Sequence, residues 1–127
     1  MALQRCFARR DRLLQSRDFV KVFNDTQCKS SDSYWTILAT ANHRQYPRLG
    51  LAITKKKVRK ASDRNRLKRI VRESFRHHKD TLEGLDIVVL CQQRAVTKTD
   101  VNKAVTNDKL FDSLHNHWLK LAHRCKR

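Results

Sequence analysis

The sequence predicts a single mixed α/β or α+β domain, a sandwich of helices on a sheet. Its periodic segments run in the order helix, strand, strand, helix, strand, helix. Only two glycines and one proline interrupt 127 residues, so most of the chain should be regular structure. A β-helix-β unit spans 49–91.

Ser16 is placed as the N-cap of a short helix to about Asn24, with Phe19, Val20 and Phe23 on one face at i, i+1 and i+4. A polar loop, Asp25 to Ser33, follows. Tyr34 to Thr40 is rich in aromatic and β-branched residues and reads as a strand. The chain turns over Asn42 to Pro47. Leu49 to Thr54 alternates large and small side chains, putting Leu49, Leu51 and Ile53 on the packed face. A basic crossover and helix occupy Lys55 to about Lys79, and Gly84 stands where a turn is needed. Asp86 to Cys91 is almost continuously apolar, as in a strand buried on both faces. Thr97 or Thr99 is the expected cap of a last helix reaching about Ala122. Val101, Ala104, Val105, Leu110, Phe111, Leu114, Trp118 and Leu121 form its apolar face. The ordered core is expected over about 10–122, within one domain of 1–127 whose basic ends, roughly 1–10 and 124–127, are loose.

The 29 Lys+Arg against 12 Asp+Glu give a net charge of +17. Such an excess repels itself in a compact state and points to a polyanionic partner. An anionic membrane fits less well than nucleic acid, since no apolar run is long enough to span and no signal-peptide core follows Met1. A cytoplasmic protein is expected. Cys6, Cys28, Cys91 and Cys125 form no C-x-x-C pair and suggest no disulfide framework, so reduced thiols are expected. His115 and His117, at i,i+2, point in different directions on a helix and read as solvated.

The most informative block runs from Thr54 to Lys79, with twelve basic residues against two acids, Asp63 and Glu73. A run of like charge is usually a solvated face or a disordered tail. Here an apolar stripe runs through it: Leu67, Ile70, Val71, Ser74 and Phe75 fall at i, i+3, i+4, i+7 and i+8. Ser62 or Asp63 is available to cap the helix. The docked stripe turns Asn65, Lys68, Arg69, Arg72 and Arg76 to the opposite side, with Arg64 and Arg66 flanking. Lys55, Lys56, Arg59 and Lys60 precede them. Arginine's planar fork suits phosphate oxygens, and asparagine both donates to and accepts from a base edge or 2′-hydroxyl. Nucleic-acid binding is therefore expected of this block. Phe19 and Phe23, with the Tyr34–Thr40 strand, read either as core or as a surface that stacks unpaired bases.

Catalytic signatures are missing from the sequence: it holds no Gly-rich phosphate loop, H-E-x-x-H or G-x-S-x-G, and its acids stand singly. No catalytic and no metal-ligating residue is expected on the protein, which reads as a binder.

Lys55-Lys56, Ala61 to Arg69 and Arg72 to Arg76 resemble the signature of the bacterial ribonuclease P protein subunit. Arg12 to Phe23 resembles that family's N-terminal helix, Pro47 to Ile53 its second long strand, and Asp86 to Val89 the strand after the basic helix. The resemblance implies a compact α/β sandwich similar to the second domain of a small-subunit ribosomal protein, with a left-handed β-α-β crossover against the usual rule. It implies an accessory subunit of an RNA-catalysed endoribonuclease, in which the RNA uses Mg²⁺ and the protein binds no cofactor. The implied partners are the catalytic RNA and precursor tRNA, with no membrane and no DNA. Arg64, Asn65, Arg66, Lys68, Arg69 and Arg72 would face the RNA, with Lys55 and Lys56 nearby. Phe19 and Phe23, with Tyr34 and Leu38, would line a cleft for the single-stranded 5′ leader. Leu38 stands where some members carry an aromatic, which would weaken stacking there. Rival readings are a ribosomal or assembly protein of the same fold, a DNA-binding transcription factor and a protein-only nuclease.

Overall fold

A computed structural model describes residues 16–91 and 107–125. Its elements are α1 (Ser16–Asn24), β1 (Cys28–Ser31), β2 (Trp35–Ala41), β3 (Arg48–Ala52), α2 (Ala61–Arg76), β4 (Leu85–Cys91) and α3 (Asn107–Cys125). The expected caps Thr97 and Thr99, the apolar positions Val101, Ala104 and Val105, and the basic segment 1–10 lie outside the described residues.

The sheet order is β1-β2-β4-β3. β2 pairs antiparallel with both β1 and β4, whereas β3 lies parallel to β4. A parallel neighbour demands a crossover, and α2 supplies it. The alternation of side chains then sorts the residues onto two faces. Cys28, Ala39, Ile87 and Leu49 stand in one cross-strand row, with Ile37, Val89 and Leu51 in the next. This face joins the large core under α2 and α3. The reverse face carries the rows Leu38–Val88–Gly50 and Thr36–Leu90–Ala52. α1 lies there, its Val22 packed on Leu38 and Val88, with Phe19 at the edge of the cluster. β4 is thus covered on both sides, as its nearly unbroken apolar run predicts.

α2 docks by the stripe read from the sequence: Leu67, Ile70, Val71, Ser74 and Phe75 are its buried residues. Ser74 is polar, and its hydroxyl accepts a 2.8 Å hydrogen bond from the Trp118 indole of α3. The Phe75 and Trp118 rings meet edge to face, centroids 6.1 Å apart.

Several expectations need correction. The loop expected over Asp25–Ser33 contains β1, a short polar strand recruited by backbone pairing with β2. On α1 the buried valine is Val22, not Val20, which is 53% exposed; the packed face is set by i, i+3 spacing from Phe19. Neither Ser62 nor Asp63 caps α2. The N-cap is Lys60, in an extended conformation with no side-chain cap hydrogen bond; the helix starts at Ala61, which puts Ser62 and Asp63 inside its first turn. Cys28 is disulfide-bonded rather than reduced, a pairing made by tertiary contact, to which sequence spacing is blind. Cys91 keeps a buried thiol whose pKa burial pushes up to about 12.

Candidate nucleic-acid interface

The link between β3 and β4 begins with the exposed lysines Lys55, Lys56 and Lys57, which sit on a turn. Thr54 steadies that turn, its carbonyl accepting from the Val58 N–H at 2.9 Å. Arg59 and Lys60 continue the exposed run into α2. At about 1.5 Å rise per residue, the 16 residues of α2 extend this cationic ridge by about 24 Å. Asn65 and Arg69 are exposed, and Lys68, Arg72 and Arg76 are half-buried along the ridge. One helix and its lead-in therefore gather all eleven predicted RNA-facing residues.

They are not equivalent. Arg64 folds back, donating through Nη1 to the carbonyls of Val58 at 2.9 Å and Arg59 at 2.8 Å. It stitches the crossover to the first turn of α2, whose N-cap makes no side-chain hydrogen bond. Arg76 donates to Glu73 at 2.7 Å, and that bond holds the Glu73 carboxyl below its ordinary pKa. Arg66 lies on the flank toward α3, with its Nε buried and without a hydrogen-bond partner. Beside it a cavity of about 540 Å³ opens between α2, from Ser62 to Glu73, and the start of α3.

The proposed cleft residues separate. Phe19 and Leu38 meet in the cluster between α1 and the sheet, joined by Val22 and Val88. Phe23 lies outside that cluster, on the last turn of α1, and is 45% exposed. Tyr34 is not brought to this side at all. It packs against the large core on the other face of the sheet, where Trp35 is buried as well. Tyr34 lies on a bend before β2 begins at Trp35, so strand alternation does not send the two neighbours to opposite faces.

Sequence reasoning missed a polar group on the α1 side of the sheet. Arg48 opposes Asp86 in register and grips it with two donors, Nε to Oδ1 at 2.8 Å and Nη2 to Oδ2 at 2.6 Å. Asn42 donates a third bond to Oδ1 at 2.9 Å, so the carboxylate, 2% exposed, is paired and hydrogen-bonded. The bond to Asp86 raises the Arg48 pKa above its ordinary value. Asp18 of α1 stands 3.8 Å from the same guanidinium and links the helix to the sheet. Arg48 lies within the segment that carries the family resemblance, but only register shows its partner.

His117, expected to be solvated, is 2% exposed. Its Nδ1 is 2.5 Å from the Ser30 hydroxyl. Its Nε2 lies 3.1 Å from Asp32 Oδ2, an ion-pair distance off the hydrogen-bonding direction. Ser113 donates to the same Asp32 oxygen, and the N–H groups of Tyr34 and Trp35 donate to the other. The residue types are those of a hydrolase triad, but Ser30 is buried and no substrate can reach its hydroxyl. The group is a structural joint. Among the described residues no three His, Cys, Asp or Glu side chains converge as metal ligands.

A small α+β sandwich that docks one helix by a narrow apolar stripe and turns a cationic ridge outward defines a nucleic-acid-binding protein of the RNA-binding, ribonucleoprotein class. The family model described as Ribonuclease P matches residues 7–122. The ribonuclease P protein component of Methylococcus capsulatus is 48% identical over 119 residues, covering 94% of this chain and 87% of that protein. That of Pseudoalteromonas atlantica is 45% identical, covering 95% and 94%. The solved ribonuclease P protein of Thermotoga maritima superposes with a TM-score of 0.72 at 32% identity, covering 86% of this chain and 96% of that one. The chain belongs to the ribonuclease P protein family. No described helix is long and apolar enough to cross a membrane.

Proposed function

We propose that this chain is the protein component of a ribonuclease P ribonucleoprotein that removes the 5′ leader from precursor tRNA. The observation that carries the reading is the cationic ridge of α2 and its lead-in, held rigidly outward by the buried stripe. In this reading the ridge grips the catalytic RNA through phosphate oxygens, with Asn65 placed for a base edge or 2′-hydroxyl. The groove between α1 and the sheet, with Phe19 and Leu38, holds the single-stranded leader. Hydrolysis is assigned to the RNA and its Mg²⁺, and the protein contributes position and charge rather than a catalytic side chain. The whole chain acts as one RNA-binding domain.

The test uses the full chain with ribonuclease P RNA and precursor tRNA. Binding to the RNA should weaken steeply with salt, and Arg69→Ala should reduce the slope of log K against log salt by about one. Phe19→Ala should weaken the complex on precursor tRNA and spare that on mature tRNA. A salt slope unchanged in Arg69→Ala would remove the ridge as the phosphate contact. Equal losses on both tRNAs would return Phe19 to a purely structural role. Robust cleavage by the protein without RNA would overturn the assignment of chemistry.

A further inference from the structure

The cavity between α2 and α3 differs in kind from the ridge beside it. The ridge is convex and cationic, suited to a backbone of phosphates. The cavity is concave, about 540 Å³, within the range of roughly 300–1,000 Å³ usual for small-molecule sites. Its walls combine an apolar side, Ile70 and the ring of Phe111, with a polar rim of Ser62 and Asn65. Two guanidinium groups, Arg66 and Arg69, border it, and the Glu73 carboxylate stands at the same wall.

Three features narrow the occupant. Arg66 lines the cavity, and its Nε is buried without a hydrogen-bond partner, so its guanidinium is not fully satisfied by the protein. An aromatic ring beside an aliphatic wall offers a flat apolar surface for a ring to lie on. A carboxylate in the lining disfavours a bare anion, yet accepts readily from an N–H donor. A phosphate alone satisfies only the arginines, and an apolar ligand leaves Arg66 unsatisfied. A nucleotide brings both a phosphate and a flat, hydrogen-bonding ring.

We infer that this cavity receives a single unpaired nucleotide, extruded from the RNA that lies along α2. The base rests against Phe111 and Ile70, its edge read by Asn65, Ser62 and Glu73, while its phosphate reaches Arg66 and Arg69. The inference rests on the reading of α2 as the RNA-binding ridge. It adds a contact that holds the RNA in register along the helix, since one extruded nucleotide fits at one place only.

The experiment titrates three probes into the isotopically labelled full chain and follows backbone amide shifts: adenosine 5′-monophosphate, ribose 5-phosphate and adenosine. The monophosphate should give saturable shifts centred on Ile70 and Phe111, about tenfold tighter than ribose 5-phosphate, the worth of one stacked base. Phe111→Leu, checked for an unchanged dispersed spectrum, should remove that difference. Should Phe111→Leu lose its fold, Ser62→Trp, which fills the cavity from its rim, should abolish the shifts instead. Equal affinity for ribose 5-phosphate and the monophosphate would overturn the inference in favour of a phosphate-only site. Absence of saturable shifts at Ile70 and Phe111 would overturn it outright. Binding of wild-type protein to ribonuclease P RNA, measured in parallel, separates the two readings. Retained, salt-dependent RNA binding without a nucleotide response sinks the cavity alone, whereas loss of both sinks the ridge as well.

Discussion

At the level of single side chains, the network of Ser30, His117, Asp32 and Ser113 joins the β1–β2 hairpin to α3. Burial holds His117 below its ordinary pKa of 6.5, against the opposing pull of Asp32. The same burial pushes Asp32 up, but hydrogen bonds from Ser113, Trp35 and Tyr34, with the nearby His117, outweigh it and leave the carboxyl below 3.8. Both shifts act in one direction. A depressed histidine contributes its stability fully above 6.5 and loses it as the pH falls through the window beneath, because the unfolded chain takes up the proton first. The Asp32 contribution is lost only below 3.8. Thermal melts between about pH 7.5 and 5.5 should show a falling Tm, and His117→Asn should flatten that fall. Parallel curves for the two proteins would mean that His117 keeps its ordinary pKa in the fold. Little of this was legible in the sequence. His115 and His117 share a short string, yet one is exposed and the other buried, and the partners of His117 lie at positions 30 and 32. A pairing made by tertiary packing leaves no local trace.

Among the elements, α2 was the most legible and β1 the least. Five stripe residues in α2 repeat at helical spacing, so periodicity alone named the buried set. β1 is four residues long, Cys28 to Ser31, with alternating burial but little apolar bulk. Only its pairing with β2 makes it a strand. The start of α2 fell between these cases. Sequence offered two capping side chains, Ser62 and Asp63, but the N-cap falls two residues before the first of them, at Lys60, which makes no side-chain cap hydrogen bond. That position has the extended geometry a serine cap prefers. Lys60→Ser should therefore stabilise the protein by about 1 kcal/mol in urea denaturation. The same change removes one cation from the ridge, so RNA affinity should fall as stability rises. A gain in both would show that Lys60 does not face the RNA. The residues that the resemblance groups do not stay together: Phe19 and Leu38 meet between α1 and the sheet, whereas Tyr34, on the bend before β2, packs on the other face.

Across the whole molecule, the governing quantity is the charge of +17 on 127 residues. Much of it is concentrated on the ridge and its lead-in, where like charges repel at close range. Added monovalent salt screens that repulsion, with a Debye length falling from about 10 Å at 0.1 M to about 3 Å at 1 M. The free protein should melt at higher temperature as salt rises, while its complex with RNA weakens over the same range. A Tm that falls with salt would mean that attractive pairs, such as Arg48 with Asp86, outweigh the repulsion. The α+β class was legible at this scale because strand and helix periods differ and few glycines or prolines blur them. Strand order was not, since nothing in the spacing says that β4 runs between β2 and β3.

That order has a consequence for how the protein comes to be competent. α2 is the covalent link between two neighbouring parallel strands, so it cannot be presented until β3 and β4 have found each other. The pairing of Leu49 with Ile87 closes a loop of nearly forty residues, and the ridge lies inside it. A chain still short of β4 during synthesis has its positive charge but no surface to align it. Recognition and completion of the sheet are therefore one event, and a half-made molecule has no orderly grip on RNA.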